Sequence, residues 1–176
     1  MAPSASNRYG YTERVTPEER IERLEASVQR LLADVERLPA DVLYREPRAG
    51  EWPVMSTLSH VAEILPYWAH QAENIARNPG AAFGRTHDDA GRLAAIEQHS
   101  RDSLDAMVAR IRAGLAESVS TLRRLPADAW ARAGHHPTRG SMTAEQVVDK
   151  LLLDHVEEHA AQISATQAAL SASPRP

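Results

Sequence analysis

No cysteine occurs among the 176 residues. Disulfides, thiolate metal sites and a cysteine nucleophile are thereby excluded, and any metal has to be held by imidazole or carboxylate. Aromatic residues are few, at 5% with a single Phe. No stretch approaches the roughly 18 consecutive apolar residues of a membrane span, so no membrane association is expected. The opening MAPSASNRYGYTERV has no apolar h-region and does not read as a signal peptide, so a cytoplasmic location is expected. A basic stripe is missing too. The net charge is −4, and arginines alternate with acids at helical spacing, as in Glu18-Glu19-Arg20 and Glu22-Arg23. Such runs are solvated helix faces, and no nucleic-acid partner is expected. Finally, no segment alternates apolar and polar residues with period two, so no sheet is expected.

What is present reads as one globular domain, with 43% hydrophobic and 25% charged residues. The abundant Ala, Leu, Arg and Glu favour helices, and a composition rich in Ala and Arg points to a high-GC bacterial source. Residues 1–15 and 171–176 are rich in Ser, Pro, Gly and Ala and read as flexible tails around a single domain, 16–170. Thr16-Pro17-Glu18-Glu19 is a capping box with Pro at the first helical position. The stripe Ile21, Leu24, Val28, Leu31, Val35 and Leu38 follows, and Pro39 ends it. Gly50-Glu51-Trp52-Pro53 opens a second helix with the stripe Val54, Leu58, Val61, Leu65, Trp68 and Ala72, closed by Asn78-Pro79-Gly80. Pro66 inside it predicts a kink. A short helix is expected around Arg92–His99. A third long helix carries Leu104, Val108, Ile111, Leu115, Val119 and Leu122. Thr143-Ala144-Glu145-Gln146 is a second capping box and opens a helix running to Leu170. Four amphipathic stripes predict an all-α four-helix bundle. Its three connections are long, and such loops either cross the bundle or build a site at its mouth.

The last stripe is unusual: Val148, Leu152, His155, His159, Gln162 and Thr166 place four polar residues where apolar ones belong. Buried polar groups need partners. Residues four apart stack on one helix face, so His155 and His159 either find hydrogen-bond partners in the core or chelate one metal ion. His60 lies on the flank of the second helix. If that helix start meets the middle of the last helix, His60 adds a third imidazole, a set suited to Zn, Ni, Cu or Fe with a coordination position left open.

Trp52 ahead of a helix, His60 eight residues on, and the late His155-x-x-x-His159-x-x-Gln162-Ile163 resemble the DinB superfamily. The segments Gly134-His135-His136-Pro137 and Arg139-Gly140-Ser141-Met142-Thr143 are similar to the loop many members carry before their last helix. The resemblance spans roughly residues 16–170. It implies a four-helix bundle in which His60, His155 and His159 hold a divalent metal, zinc or nickel foremost. It also implies kinship with thiol-dependent transferases and isomerases that use mycothiol, bacillithiol or glutathione. The lack of cysteine fits a thiol supplied by such a cosubstrate.

His155-Val156-Glu157-Glu158-His159 also fits the H-x-x-E-H zinc-protease signature, in which Glu158 would orient a metal-bound water. That reading requires a further acidic ligand and a larger substrate cleft. Glu63, one turn beyond His60, is a candidate supporting residue or a solvated helix Glu. His87 fits a helix start, and His135 and His136 line a site entrance or an ordinary loop. His70 and His99 read as surface or partly buried residues, Trp52 and Trp68 as core anchors, and Tyr67 as a remote candidate for a site hydroxyl. Two functional classes follow. One is a metal-dependent thiol transferase or isomerase acting on a small electrophile. The other is a non-catalytic metal-binding or stress-related interaction protein, in which a homodimer surface matters most. A third reading keeps the bundle metal-free, with its histidines paired to buried carboxylates.

Overall fold

The computed structural model describes residues 15–172. Thr16 caps helix α1 (Pro17–Val35): its hydroxyl accepts from the Glu19 amide, and the Glu19 carboxylate accepts from the Thr16 amide. The predicted stripe is buried from Ile21 to Val35, whereas its last member, Leu38, lies past the end of the helix and is half-buried. After a single turn of helix, α2 (Ala40–Leu43), comes α3 (Val54–Arg77), which runs unbroken through Pro66. Helix α4 (Ala90–His99) starts two residues earlier than expected and is capped by the Asp89 side chain. Ser103 caps α5 (Leu104–Arg123).

Helix α3 is the axis of the molecule, packing against α5, α4 and the last helix. Its closest approach to α5 falls at the proline. A Cβ on Gly114 would lie 3.3 Å from Pro66 Cδ and 3.4 Å from the Ala62 carbonyl oxygen. Pro66 cannot donate to that carbonyl, and the missing side chain of Gly114 lets α5 cover the spot.

Two features differ from the sequence expectation. The connection after α5 holds a 3₁₀ turn (Ala127–Ala131) and a small antiparallel hairpin, β1 (Ala133–His136) with β2 (Gly140–Thr143). The expected absence of a sheet is corrected accordingly. The hairpin is held from outside: the His135 amide donates to Ala81, the Phe83 amide to His135 and the Gly80 amide to Ala133. Both long loops thus merge into one patch at the mouth of the bundle.

The second difference lies in the last helix. Thr143 forms its predicted capping box with Gln146 over α6 (Ala144–Val147), but Val148–Leu153 winds as a π-helix before α7 (Asp154–Ala172). A π turn adds one residue. Downstream, the core-facing positions move one place along, to Val156, Ile163 and Leu170, with Ala160 packed beside them. Gln162, expected to point inward, is exposed instead, while Thr166 is buried. Helix α7 also runs two residues past Leu170. Residues 1–14 and 173–176 of the expected tails lie outside the described residues.

Arg20 is buried and clasps α1 to the last helix. Its guanidinium bonds Asp149 at 2.7 Å and also meets Glu145. Arg23 and Ser27 both bond Glu157, at 2.6 and 3.0 Å.

Gly134 of β1 is a tight point. A Cβ there would sit 2.7 Å from the Ala81 carbonyl oxygen and 2.9 Å from the Ile75 side chain. Gly134→Ala is therefore expected to cost about 1–3 kcal/mol by overpacking, lowering the melting temperature by about 3–10 °C. Calorimetry showing an unchanged midpoint would reject this packing of hairpin against loop.

Candidate metal centre

The second turn of α3 carries His60, which is 1% exposed. The first two turns of α7 carry His155 and His159, both half-buried. The one-residue shift of the π segment sets these two on the edge of the core face, opposite α3. The three imidazoles meet: ring centroids lie 5.2 Å apart for His60 and His155, 4.9 Å for His60 and His159, and 4.6 Å for His155 and His159. Each ring offers a ligand nitrogen within 4.8 Å of the other two. It is the one group of this kind among the described residues.

Supporting groups stand beside each ring. His159 Nδ1 lies 2.9 Å from Gln162 Oε1, so it carries the proton and leaves Nε2 with a lone pair. Glu63 sits 3.6 Å from His60 Nδ1, too far for a formed hydrogen bond, and is itself held by Arg85. Arg85 in turn lies over the Tyr67 ring at 3.8 Å. The Leu151 backbone in the π segment lies beside His155 and partly offsets the lowering of its pKa. Trp52 stands edge-on to His60 at 5.7 Å.

Both nitrogens of His60 and Nε2 of His159 are buried with no hydrogen-bond partner. Burial lowers the pKa of all three rings, and neighbouring positive charges add to it; His155 and His159 fall to about 4. Burial raises Glu63, but its contacts with His60 and Arg85 outweigh this and hold it below its ordinary value. Three neutral imidazoles with converging, otherwise orphaned nitrogens fit a divalent metal ion. The metal-free alternative, buried carboxylates pairing with the rings, is met only at His60, and there loosely.

A cleft of about 670 Å³ opens beside the cluster, sharing His60 and His155. Ile64, Trp68 and Leu151 form apolar wall. The loop after α3 supplies Arg85 to Asp88, α4 supplies Arg92, and the hairpin supplies His136, Thr138 and Arg139. The predicted candidates separate on this geometry. His87 and Glu158 line the cleft from exposed positions, and His136 lines it while buried. The Nδ1 atom of His136 accepts from the backbone amides of Thr138 and Arg139. His135 is exposed and turned away from the cleft lining. His70 pairs with Glu117 and His99 with Asp102, away from the site. Tyr67 carries Arg85 rather than presenting a site hydroxyl. Trp52 is half-buried against His60 instead of deep in the core. Sequence reasoning missed Arg85 and Arg92, whose charges look like ordinary helix-surface charges until the fold turns them inward.

The DinB superfamily model matches residues 23–163, and the chain belongs to that superfamily. Among solved structures it is similar to YfiT from Bacillus subtilis, described as a probable metal-dependent hydrolase with an unusual four-helix bundle topology. That match has 20% identity and a TM-score of 0.75, and it covers 94% of this chain and 95% of that one. It is also similar to the mycothiol-dependent maleylpyruvate isomerase, with 16% identity and a TM-score of 0.65, covering 84% of this chain and 60% of that one. A third structure is the colibactin self-resistance protein ClbS in complex with double-stranded DNA. Its identity is 12% and its TM-score 0.62, with coverage of 89% and 98%. At these identities the shared property is the fold. Comparison with curated proteins gives no significant match.

His155→Ala and His60→Ala are each expected to remove most bound metal by elemental analysis of the purified protein; a His60→Ala variant with full occupancy would take His60 out of the ligand set. Gln162→Ala is expected to weaken metal affinity about 10- to 100-fold, through loss of ring orientation. The metal-free protein carries a pH signature as well. His155 and His159 have folded values of about 4 against an ordinary 6.5. As pH falls the unfolded chain takes up protons first, so stability present above pH 6.5 is lost progressively towards pH 4. A His155→Gln/His159→Gln double variant should show a flatter melting-temperature profile over that window, and matching slopes would contradict the burial of these rings.

Proposed function

We propose that the protein is an enzyme that uses a divalent ion, zinc or nickel, held by His60, His155 and His159, to transfer a low-molecular-weight thiol such as mycothiol to a small electrophile. The observation carrying this reading is the cleft that shares two of the three imidazoles. Its volume of about 670 Å³ falls within the usual range for small-molecule sites. A storage or interaction role gives no reason for the imidazoles to face such a space. Three protein nitrogens leave a coordination position for a ligand. An ion bound there supplies Lewis acidity, lowering the pKa of a thiol or water that reaches it.

The chain's own residues do the rest. Gln162 holds His159 in orientation, and the Glu63–Arg85 pair places a carboxylate beside His60. Ile64, Trp68 and Leu151 keep one wall of the cleft apolar and so exclude water from it. With no cysteine in the chain, the sulfur has to come from a cosubstrate. The mycothiol dependence stated for one structural neighbour supports this choice of chemistry. The chain spans only 60% of that enzyme's length, so its substrate is not carried over.

Hydrolysis is the second reading. It is favoured by Glu158, which lines the cleft one turn from His155 and is placed to take a proton from water. Duplex DNA is not the partner we propose: the net charge is −4, and the signs are interleaved over the helices. Among the described residues no helix is long and apolar enough to cross a membrane, and a cytoplasmic setting is part of this proposal.

The test supplies mycothiol, bacillithiol or glutathione with a panel of electrophiles to protein loaded with zinc or with nickel. Thiol consumption should depend on the metal and fall to background in His155→Ala. Turnover without thiol that is lost in Glu158→Gln would favour hydrolysis. Activity surviving metal removal would overturn the metal-dependent reading, and none with any thiol or water would leave the non-catalytic reading ahead.

A further inference from the structure

The cations of the cleft differ in how they are matched. Arg85 is bonded to Glu63, and Lys150 pairs with Asp154 at 2.8 Å. Arg92 has no such partner. Among the described residues no carboxylate lies within ion-pair distance of its guanidinium, whose one hydrogen bond goes to the His87 carbonyl at 2.7 Å. Yet Arg92 is half-buried rather than free in solvent. Its guanidinium carbon lies 5.6 Å from the Trp52 ring centroid, and that ring stands 5.7 Å from His60. The side chain therefore sits on the cleft wall next to the imidazole cluster. The Asp89 cap on α4, accepting from the Arg92 amide at 2.9 Å, fixes the start of its helix.

Glu63 and Asp89 act on Arg92 only from beyond contact distance, and a partly desolvated cation with no carboxylate touching it is a good place for an anion. A planar guanidinium matches a carboxylate through two parallel hydrogen bonds. A phosphate dianion calls for a second free cation at the same place. Arg85 and Lys150 are already paired, and Arg139 is exposed at the rim.

We infer that Arg92 anchors a carboxylate of the substrate, so that the electrophile is a small carboxylic acid held between this guanidinium and the three imidazoles. The word substrate rests on the function proposed above; the anion site itself does not depend on the metal.

Calorimetric titration at constant ionic strength tests this, with succinate, its neutral diamide succinamide, and inorganic phosphate as probes. The zinc-loaded wild-type protein is expected to bind succinate about tenfold or more tightly than succinamide, the scale of one charge-assisted contact. Phosphate should bind more weakly than succinate. Arg92→Gln should abolish the preference with metal content and helicity unchanged. Arg92→Lys, which keeps the charge but loses the fork, should retain part of it, and it carries the test if Arg92→Gln does not fold. Equal binding of succinate and succinamide, or undiminished preference in the variants, would overturn the inference. Phosphate binding tighter than succinate would overturn the carboxylate assignment. The titrations are repeated on chelator-stripped protein, where the preference should persist. A chain that takes up no metal but keeps an Arg92-dependent preference sinks the metal reading alone; one that holds metal without the preference sinks this inference alone.

Discussion

Nitrogen atoms cut off from water and given no partner are costly, at about 1–3 kcal/mol each. Both ring nitrogens of His60 and one of His159 are in that condition. Of the six such nitrogens among the described residues, these three belong to one cluster of imidazoles. Their surroundings serve the same end. Gln162 orients the His159 ring without consuming its second nitrogen, Glu63 stands near His60 without bonding it, and burial keeps the rings neutral at physiological pH. A neutral imidazole is a ligand and an imidazolium is not. The local geometry thus fits a positive charge that the protein itself does not provide.

The same condition bears on the last helix. In a regular α-helix continuing the phase of Val148 and Leu152, His155 and His159 would point to the middle of the core face, with Gln162 below them. The π turn at Val148–Leu153 moves that face to Val156, Ile163 and Leu170. The histidines are left at its edge, where both reach His60 and His155 also reaches the cleft. The extra residue is thereby part of the site, in keeping with the usual placement of π turns at functional positions.

Local features were legible in the sequence. The two capping boxes and the three-four stripes of α1, α3 and α5 depend on neighbours within one or two turns, and they appear where the spacing places them. The i,i+4 histidine pair is of the same kind. The π turn leaves only a faint trace, the three successive buried leucines 151–153, more apolar width than one helix face needs. The hairpin leaves none. Ala133-Gly134-His135-His136 has no alternating pattern, and besides pairing with β2 it is held by bonds to Ala81, Phe83 and Gly80, some fifty residues away. Arg92 was hidden for a different reason. Within its own helix it is one more surface arginine, and only the packing of α4 beside Trp52 and His60 gives it a direction.

The joining of the hairpin to the loop after α3 separates two tasks. The helices contribute the three imidazoles, whereas the loop, the hairpin and the start of α4 contribute most of the polar wall of the cleft. Those segments are tied to one another by backbone bonds, which are indifferent to side-chain identity. Residues 86–88 and 138–139, exposed on that wall, can therefore be exchanged without disturbing either the core or the cap that starts the last helix. Such an architecture lends itself to divergence: one chassis can take on new substrates through a handful of rim substitutions, while overall similarity between descendants falls to levels at which only the shape remains recognisable.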